Sequence, residues 1–146
     1  MVRINRSVEY GLIAVSYLSE REPELVRARD VSERFALPSS IVAKVFQKLA
    51  GAGIVISEQG VHGGYRLAQP LDEVSFLQLA EAVDGPERIA PCASHSAQAC
   101  ERTDGCVVAG PISYLGDRIH SLLEGISVGE LLRYTAIGSR NEGARV

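Results

Sequence analysis

"SIVAKVFQKLAGAGIVISEQGVHGGYRLA", residues 40–68, changes its periodicity halfway along. From Ser40 to Ala52 the apolar residues recur at helical spacing. Ile41, Val42, Val45, Phe46 and Leu49 form one stripe, while Ser40, Ala43, Lys44, Gln47, Lys48 and Gly51 form the opposite face. Gly53 ends the helix. "IVISE" (54–58) then alternates as a strand does, and "QGVHGG" (59–64) supplies turn residues. "YRLA" (65–68) is the return strand, with Tyr65 and Leu67 inward and Arg66 outward. A two-sided helix followed at once by a glycine-rich hairpin has the order of a recognition helix and its wing.

The residues upstream agree. "RARDVSERFA" (27–36) predicts a short helix with Ala28, Val31 and Phe35 on one face. "LPSS" breaks it and offers Ser39 as the next N-cap. Two short helices joined by a tight turn, the second with a basic outer face, make a helix-turn-helix. "SVEYGLIAVSYLSE" (7–20) predicts a helix before them, with Val8, Leu12, Val15 and Leu18 in register and Asn5 or Ser7 as N-cap. The outer face has suitable chemistry: lysine for phosphates or guanine, glutamine for adenine, small residues for close approach. Candidate DNA contacts are therefore Ser39, Ser40, Lys44, Gln47 and Lys48 from the helix, and His62, Gly63 and Arg66 from the hairpin. The plainer alternative is a solvated face on a three-helix core with an ordinary surface hairpin. The order of the elements favours the wing.

Charge bears on this. The net charge of −3 argues at first against nucleic acid. Residues 1–66, however, carry nine Lys/Arg and seven Asp/Glu, against six and eleven in residues 67–146. The two lysines of the chain, Lys44 and Lys48, lie one helical turn apart, so a local basic face survives the acidic total. Apolar residues make up 46% of the 146, enough for a core, and the few aromatics and absent Trp make it aliphatic and helical. No run of about 18 apolar residues is present, so no membrane span or membrane partner is expected. The N-terminus "MVRINRSVEYGL" lacks a signal-peptide pattern, which points to the cytoplasm.

Beyond the hairpin, "SFLQLAEAVDGP" (75–86) returns to helix, with Ser75 and Gln78 as a capping box and Gly85-Pro86 as a stop. "PISYLGDRIHSLLEG" (111–125) is helical again. Ile112, Leu115, Ile119 and Leu122 are spaced three, four and three, as in a coiled-coil seam, and the polar remainder suits a helix paired with a second copy. The alternative is a last helix packed inside the monomer. "SVGELLRYT" (127–135) opens with a second capping box, Ser127 and Glu130. The expected organisation is a DNA-binding domain over 1–86, a cysteine loop over 87–109, a dimerisation helix and short C-terminal helix over 110–137, and a flexible tail over 138–146. The fold class is mainly α with a small β-hairpin wing: a winged helix-turn-helix plus a long dimerisation helix.

The loop holds every cysteine of the chain. In "PCASHSAQACERTDGC" (91–106), Cys92, Cys100 and Cys106 are separated by seven and five residues. Neither spacing suits zinc, which favours pairs two to four residues apart, though His95 could add a ligand. A disulfide is open to any pair, but thiols in the cytoplasm stay mostly reduced. Inert buried thiols belong on apolar faces, which this loop does not have. An iron–sulfur cluster uses thiolates, tolerates long spacings, and leads modestly on these grounds.

The motifs "GGYRLA" (63–68) and "LQLAEAVDGP" (77–86), followed by a three-cysteine loop, resemble the Rrf-two family of winged-helix iron–sulfur transcription regulators, the group of IscR, NsrR and RirA. The resemblance covers about residues 1–135. It implies a homodimeric regulator, usually a repressor, that binds a double-stranded DNA operator under control of a cluster held by Cys92, Cys100 and Cys106. The spacing looks more like the branches that respond to nitric oxide and iron, which favours a 4Fe-4S cluster slightly over 2Fe-2S. The His ligand of the cluster-biogenesis branch has no counterpart in "CVVAGP" (106–111). Glu9, just before Tyr10, matches the acidic residue that in some relatives completes the cluster from the partner subunit. His95 and His120 are weaker candidates. Two departures bear on DNA. Glu58 and Gln59 stand where relatives often place wing arginine and glycine, leaving His62 as the substitute, and Ala43 replaces a base-reading acidic side chain. Two other functions stay open: a cluster-free thiol-switch or metal-binding repressor, and a DNA-independent redox or metal-storage module. No nucleophile–base pair, phosphate loop or carboxylate pair suggests an enzyme.

Overall fold

The computed structural model describes residues 4–86 and 105–134. Five helices are α1 (Arg6–Arg21), α2 (Ala28–Phe35), α3 (Ser39–Gly51), α4 (Phe76–Asp84) and α5 (Ala109–Gly125). Strands β1 (Val55–Glu58) and β2 (Gly64–Leu67) follow α3, and a 3₁₀ turn (Leu71–Glu73) precedes α4. A last helix, α6, covers 128–134. This is the winged helix-turn-helix expected from the sequence. Among the described residues no helix is long and apolar enough to cross a membrane.

Local chemistry sets most boundaries. Asn5, rather than Ser7, caps α1: its Oδ1 accepts from the Val8 N–H at 3.0 Å. The turn between α2 and α3 is closed by Ala36, at φ +52°, whose N–H donates to the Ser32 carbonyl. The Leu37 N–H reaches the same carbonyl at 2.9 Å, and Ser32 Oγ donates to the Leu37 carbonyl at 2.6 Å. Ser39 is not the cap of α3. Pro38 takes that position, and its carbonyl accepts from the N–H groups of Ile41 and Val42, both at 3.1 Å. The fixed φ of proline preorganises the chain for entry into the helix, so α3 begins before a serine cap is reached. The Ser75–Gln78 capping box of α4 forms in both directions, at 3.0 and 2.9 Å.

The core lies between α1, α3 and α4. Val15, Leu18, Val31, Val42, Val45, Phe46, Leu49, Leu79 and Val83 are all buried. Two expected core residues are not: Ile41 and Phe35 are each 39% exposed. The helical pitch places Ile41 between the apolar stripe and the lysine face, at the margin of burial. Phe35 ends α2 and meets Tyr17 edge-on at 5.7 Å, with the Arg34 guanidinium over its ring.

The hairpin is antiparallel, in register from Val55↔Leu67 to Glu58↔Gly64. Val26 adds a third strand position. Its N–H donates to the Tyr65 carbonyl at 3.0 Å, and the Tyr65 N–H returns a bond at 2.7 Å. The Tyr65 ring stacks on Phe46 at 4.5 Å, joining the base of the wing to the recognition helix. This explains the paired glycines. A Cβ on Gly64 would stand 2.9 Å from the Val26 carbonyl oxygen, and one on Gly63 would collide with the Glu58 carbonyl inside the turn.

The C-terminal part combines an exposed helix with a segment that packs back onto the core. No residue of α5 is buried. Leu115 and Leu122 of the expected seam are exposed, while Ile112 and Ile119 are half-buried. The segment after α5 returns to the first domain. The Ile126 carbonyl accepts from Phe76 N–H at 2.7 Å, and the Val128 N–H donates to the Val74 carbonyl at 2.8 Å. Val128 is fully buried in the core, and Arg133 pairs with Asp72 at 2.7 Å. Most of the expected cysteine loop and the whole expected tail lie outside the described residues.

Candidate nucleic-acid interface and cysteine segment

Ser39, Ser40, Lys44 and Gln47 are exposed along the outer face of α3. Lys44 has no partner among the described residues. Lys48 differs: its Nζ donates to the Val83 carbonyl at 2.8 Å. The last carbonyls of α4 lack helical partners and carry the negative end of its dipole, so an ammonium is a favourable cap there. Two lysines that the sequence assigns to one role thus have different neighbours. Lys48 links the recognition helix to the end of α4, next to the chain that leads into the cysteines.

On the wing, the Arg66 guanidinium is held by Glu58 at 2.9 Å, across neighbouring positions of the hairpin. The pair cancels the one full positive charge that the hairpin itself carries. His62 is exposed at the tip beside Val61, and Gly63 is taken up by the turn geometry. A residue missed by the sequence reading joins them. Arg27, just before α2, donates through Nη2 to the Val61 carbonyl. Nothing in "RARD" signals that contact, which spans 34 positions. Its neighbour Arg29 is paired with Glu33 at 2.7 Å; that hydrogen bond raises the arginine pKa further above its usual value.

Of the cysteines, Cys106 is described. It is half-buried in the turn before α5, where its carbonyl accepts from Ala109 N–H at 3.4 Å. Cys92, Cys100 and His95 lie outside the described residues. Glu9 is exposed in the first turn of α1. His120 of α5 faces Glu81 of α4, Nε2 to Oε1 3.9 Å. Among the described residues no three His, Cys, Asp or Glu side chains converge as a metal site would require.

Comparison with known proteins identifies the group. A family model described as "Rrf2: Iron-dependent Transcriptional regulator" matches residues 4–134. The HTH-type transcriptional regulator IscR of Aliivibrio salmonicida is 37% identical over 103 residues, 70% of this chain; the match spans 60% of that protein's own length. CymR, described as the global cysteine regulator of B. subtilis, shares the fold with a TM-score of 0.69 at 20% identity, over 92% of this chain and 98% of that one. T. potens IscR does so with a TM-score of 0.67 at 19% identity, over 92% and 88%. The Aliivibrio protein is named as a transcriptional regulator and the Bacillus protein as a cysteine regulator. With its helix-turn-helix and wing in place and a family match running from residue 4 to residue 134, the chain belongs to the Rrf2 family of transcriptional regulators.

Proposed function

We propose that this regulator is a homodimeric, operator-binding repressor whose DNA affinity is set by an iron–sulfur cluster on Cys92, Cys100 and Cys106, in response to redox, nitric oxide or iron status. The observation that carries the reading is the placement of Cys106 directly before a helix with no buried residue. A thiol that changes ligation there pulls on α5, and α5 offers Leu115 and Leu122 to a second copy. Burying them together removes from water an apolar row along a helix about 26 Å long. Two copies present two α3 helices to half-sites about 34 Å apart.

Three thiols within fifteen positions are a donor set that suits iron and sulfide. A cluster bound there supplies a redox-sensitive centre with one iron position left for a weaker ligand. Glu9 of the partner subunit is the carboxylate proposed for it, and a 4Fe-4S form is favoured over 2Fe-2S. The protein's own part is transmission. Cys106 leads into α5, α5 packs on α4 with His120 approaching Glu81 while Leu123 packs against the core, and the end of α4 is bonded to Lys48 of α3. A shift of α5 therefore reaches the recognition helix through packed elements. A tenfold change in operator affinity needs only about 1.4 kcal/mol of difference between the two arrangements.

The test is anaerobic purification with an absorption spectrum and iron and sulfide counts per chain, before and after nitric oxide and dioxygen. Stoichiometric iron and sulfide are expected, and the counts give the nuclearity. Cys92→Ala, Cys100→Ala and Cys106→Ala should each abolish the chromophore and leave a folded dimer. Wild-type absorption in any of them refutes the ligand set. Protein that stays colourless after reconstitution but switches DNA binding with thiol oxidation replaces the cluster with a thiol switch.

A further inference from the structure

We infer that Arg27, from outside the hairpin, supplies the wing with its DNA-contacting cation and binds a phosphate of the operator backbone. The inference rests on the operator-binding reading. Of the charges on the hairpin, Arg66 is neutralised by Glu58 at 2.9 Å, and Glu58 is the residue that an approaching phosphate would meet beside it. The wing tip would be repelled or ignored by DNA if the hairpin acted alone.

Arg27 changes that balance. Its guanidinium sits on the Val61 carbonyl at the outermost part of the wing, where Val61 is 82% exposed. The backbone beneath it is fixed on both sides. Val26 is paired with Tyr65, and the Asp30 carboxylate accepts the Arg27 N–H at 3.0 Å. A guanidinium carries donors only, so the side chain cannot serve as the acceptor of an N-cap and is left free to cross to the wing. Its one described partner is a neutral carbonyl, so its charge is not cancelled. Of its five N–H donors one is used, and the others remain for a phosphate, whose oxygens suit the guanidinium fork. Arg29, the nearest alternative, is held by Glu33. The Val61 bond anchors the guanidinium at the tip, so less side-chain freedom is lost when DNA arrives.

The experiment measures affinity against salt. The probe is a 30-base-pair duplex selected from a random library by the wild-type, anaerobically isolated chain. Over about 50 to 200 mM KCl, R27A and R27Q should each flatten the slope of log affinity against log salt by about 0.9 per bound chain. That corresponds to a loss at the low-salt end about 3.5-fold greater, per chain, than at the high-salt end. R27K keeps the charge and should keep the slope. A purely structural anchor would weaken binding by one factor at every salt concentration, so an unchanged slope in R27A overturns the inference. If R27A proves unstable, R27K and R27Q decide: equal slopes overturn it and a lower slope for R27Q alone supports it. A wild-type chain that selects no sequence and binds no duplex in any cluster state defeats the operator-binding reading, and this inference with it.

Discussion

Lys48→Met should lower stability, whereas Lys44→Met should not. Methionine keeps most of the aliphatic stem and removes the ammonium that donates to the Val83 carbonyl at 2.8 Å. A hydrogen bond to a charged group contributes about 1.5–3 kcal/mol, and holding a lysine side chain in one geometry costs up to about 2 kcal/mol. Because Lys48 is exposed, water can replace part of the bond, and a net loss of about 1 kcal/mol is expected. With a urea dependence of about 2 kcal/mol per molar, the unfolding midpoint should fall by about 0.5 M. Lys44 lacks such a partner among the described residues. Its substitution should leave the midpoint in place and flatten the salt dependence of DNA binding by about 0.9 per chain. If the bond from Lys48 also carries the signal from the cysteine segment, K48M should shrink the ratio of DNA affinities with and without the cluster by about fivefold, the equivalent of about 1 kcal/mol. Urea titrations and DNA titrations at several salt concentrations, both on protein whose oligomeric state and iron and sulfide content have been measured, provide the measurements. An unchanged midpoint in K48M, with a salt slope reduced as in K44M, would place Lys48 on the DNA face and refute the argument.

Other outcomes follow from single sites. Leu122→Asp alters a residue 62% exposed in the isolated chain, so light scattering should report a monomer with native circular dichroism; a persisting dimer removes α5 from the interface. Ala36→Gly should stabilise the fold by about 1 kcal/mol, because φ +52° strains any residue with a Cβ; a lower unfolding midpoint would show that the turn does not hold this geometry in solution. Gly64→Val forces a side chain against the Val26 carbonyl. Losing the two Val26–Tyr65 bonds should cost about 2 kcal/mol and weaken operator binding, and wild-type behaviour in both assays would mean that the third strand position is dispensable.

The winged helix-turn-helix was legible because each of its parts has a local signature. The change from helical to alternating spacing across residues 40–68 yields α3 and the hairpin, and the pairing of Ser75 with Gln78 yields the start of α4. That α5 has no fully buried residue was also readable, since a stripe spaced three and four with polar flanks describes a helix that its own domain does not engulf. Of that stripe, Leu115 and Leu122 are exposed and Ile112 and Ile119 half-buried. The sequence misplaced residues where two faces meet. Ile41 and Phe35 are apolar and in phase, yet both sit at the edge of a stripe, where the contour of the neighbouring helices sets burial.

Periodicity and stops could be read from the residues alone: which faces are apolar, where helices end, and that three thiols share one segment. Tertiary structure alone separated Lys44 from Lys48, carried Arg27 to the tip of the wing, and returned Val128 to the core of the domain. The reason is physical. Spacing fixes the direction in which a side chain leaves its helix, but not what stands there. The partners of Lys48 and Arg27 lie 35 and 34 positions away, and only the packed chain brings them within reach.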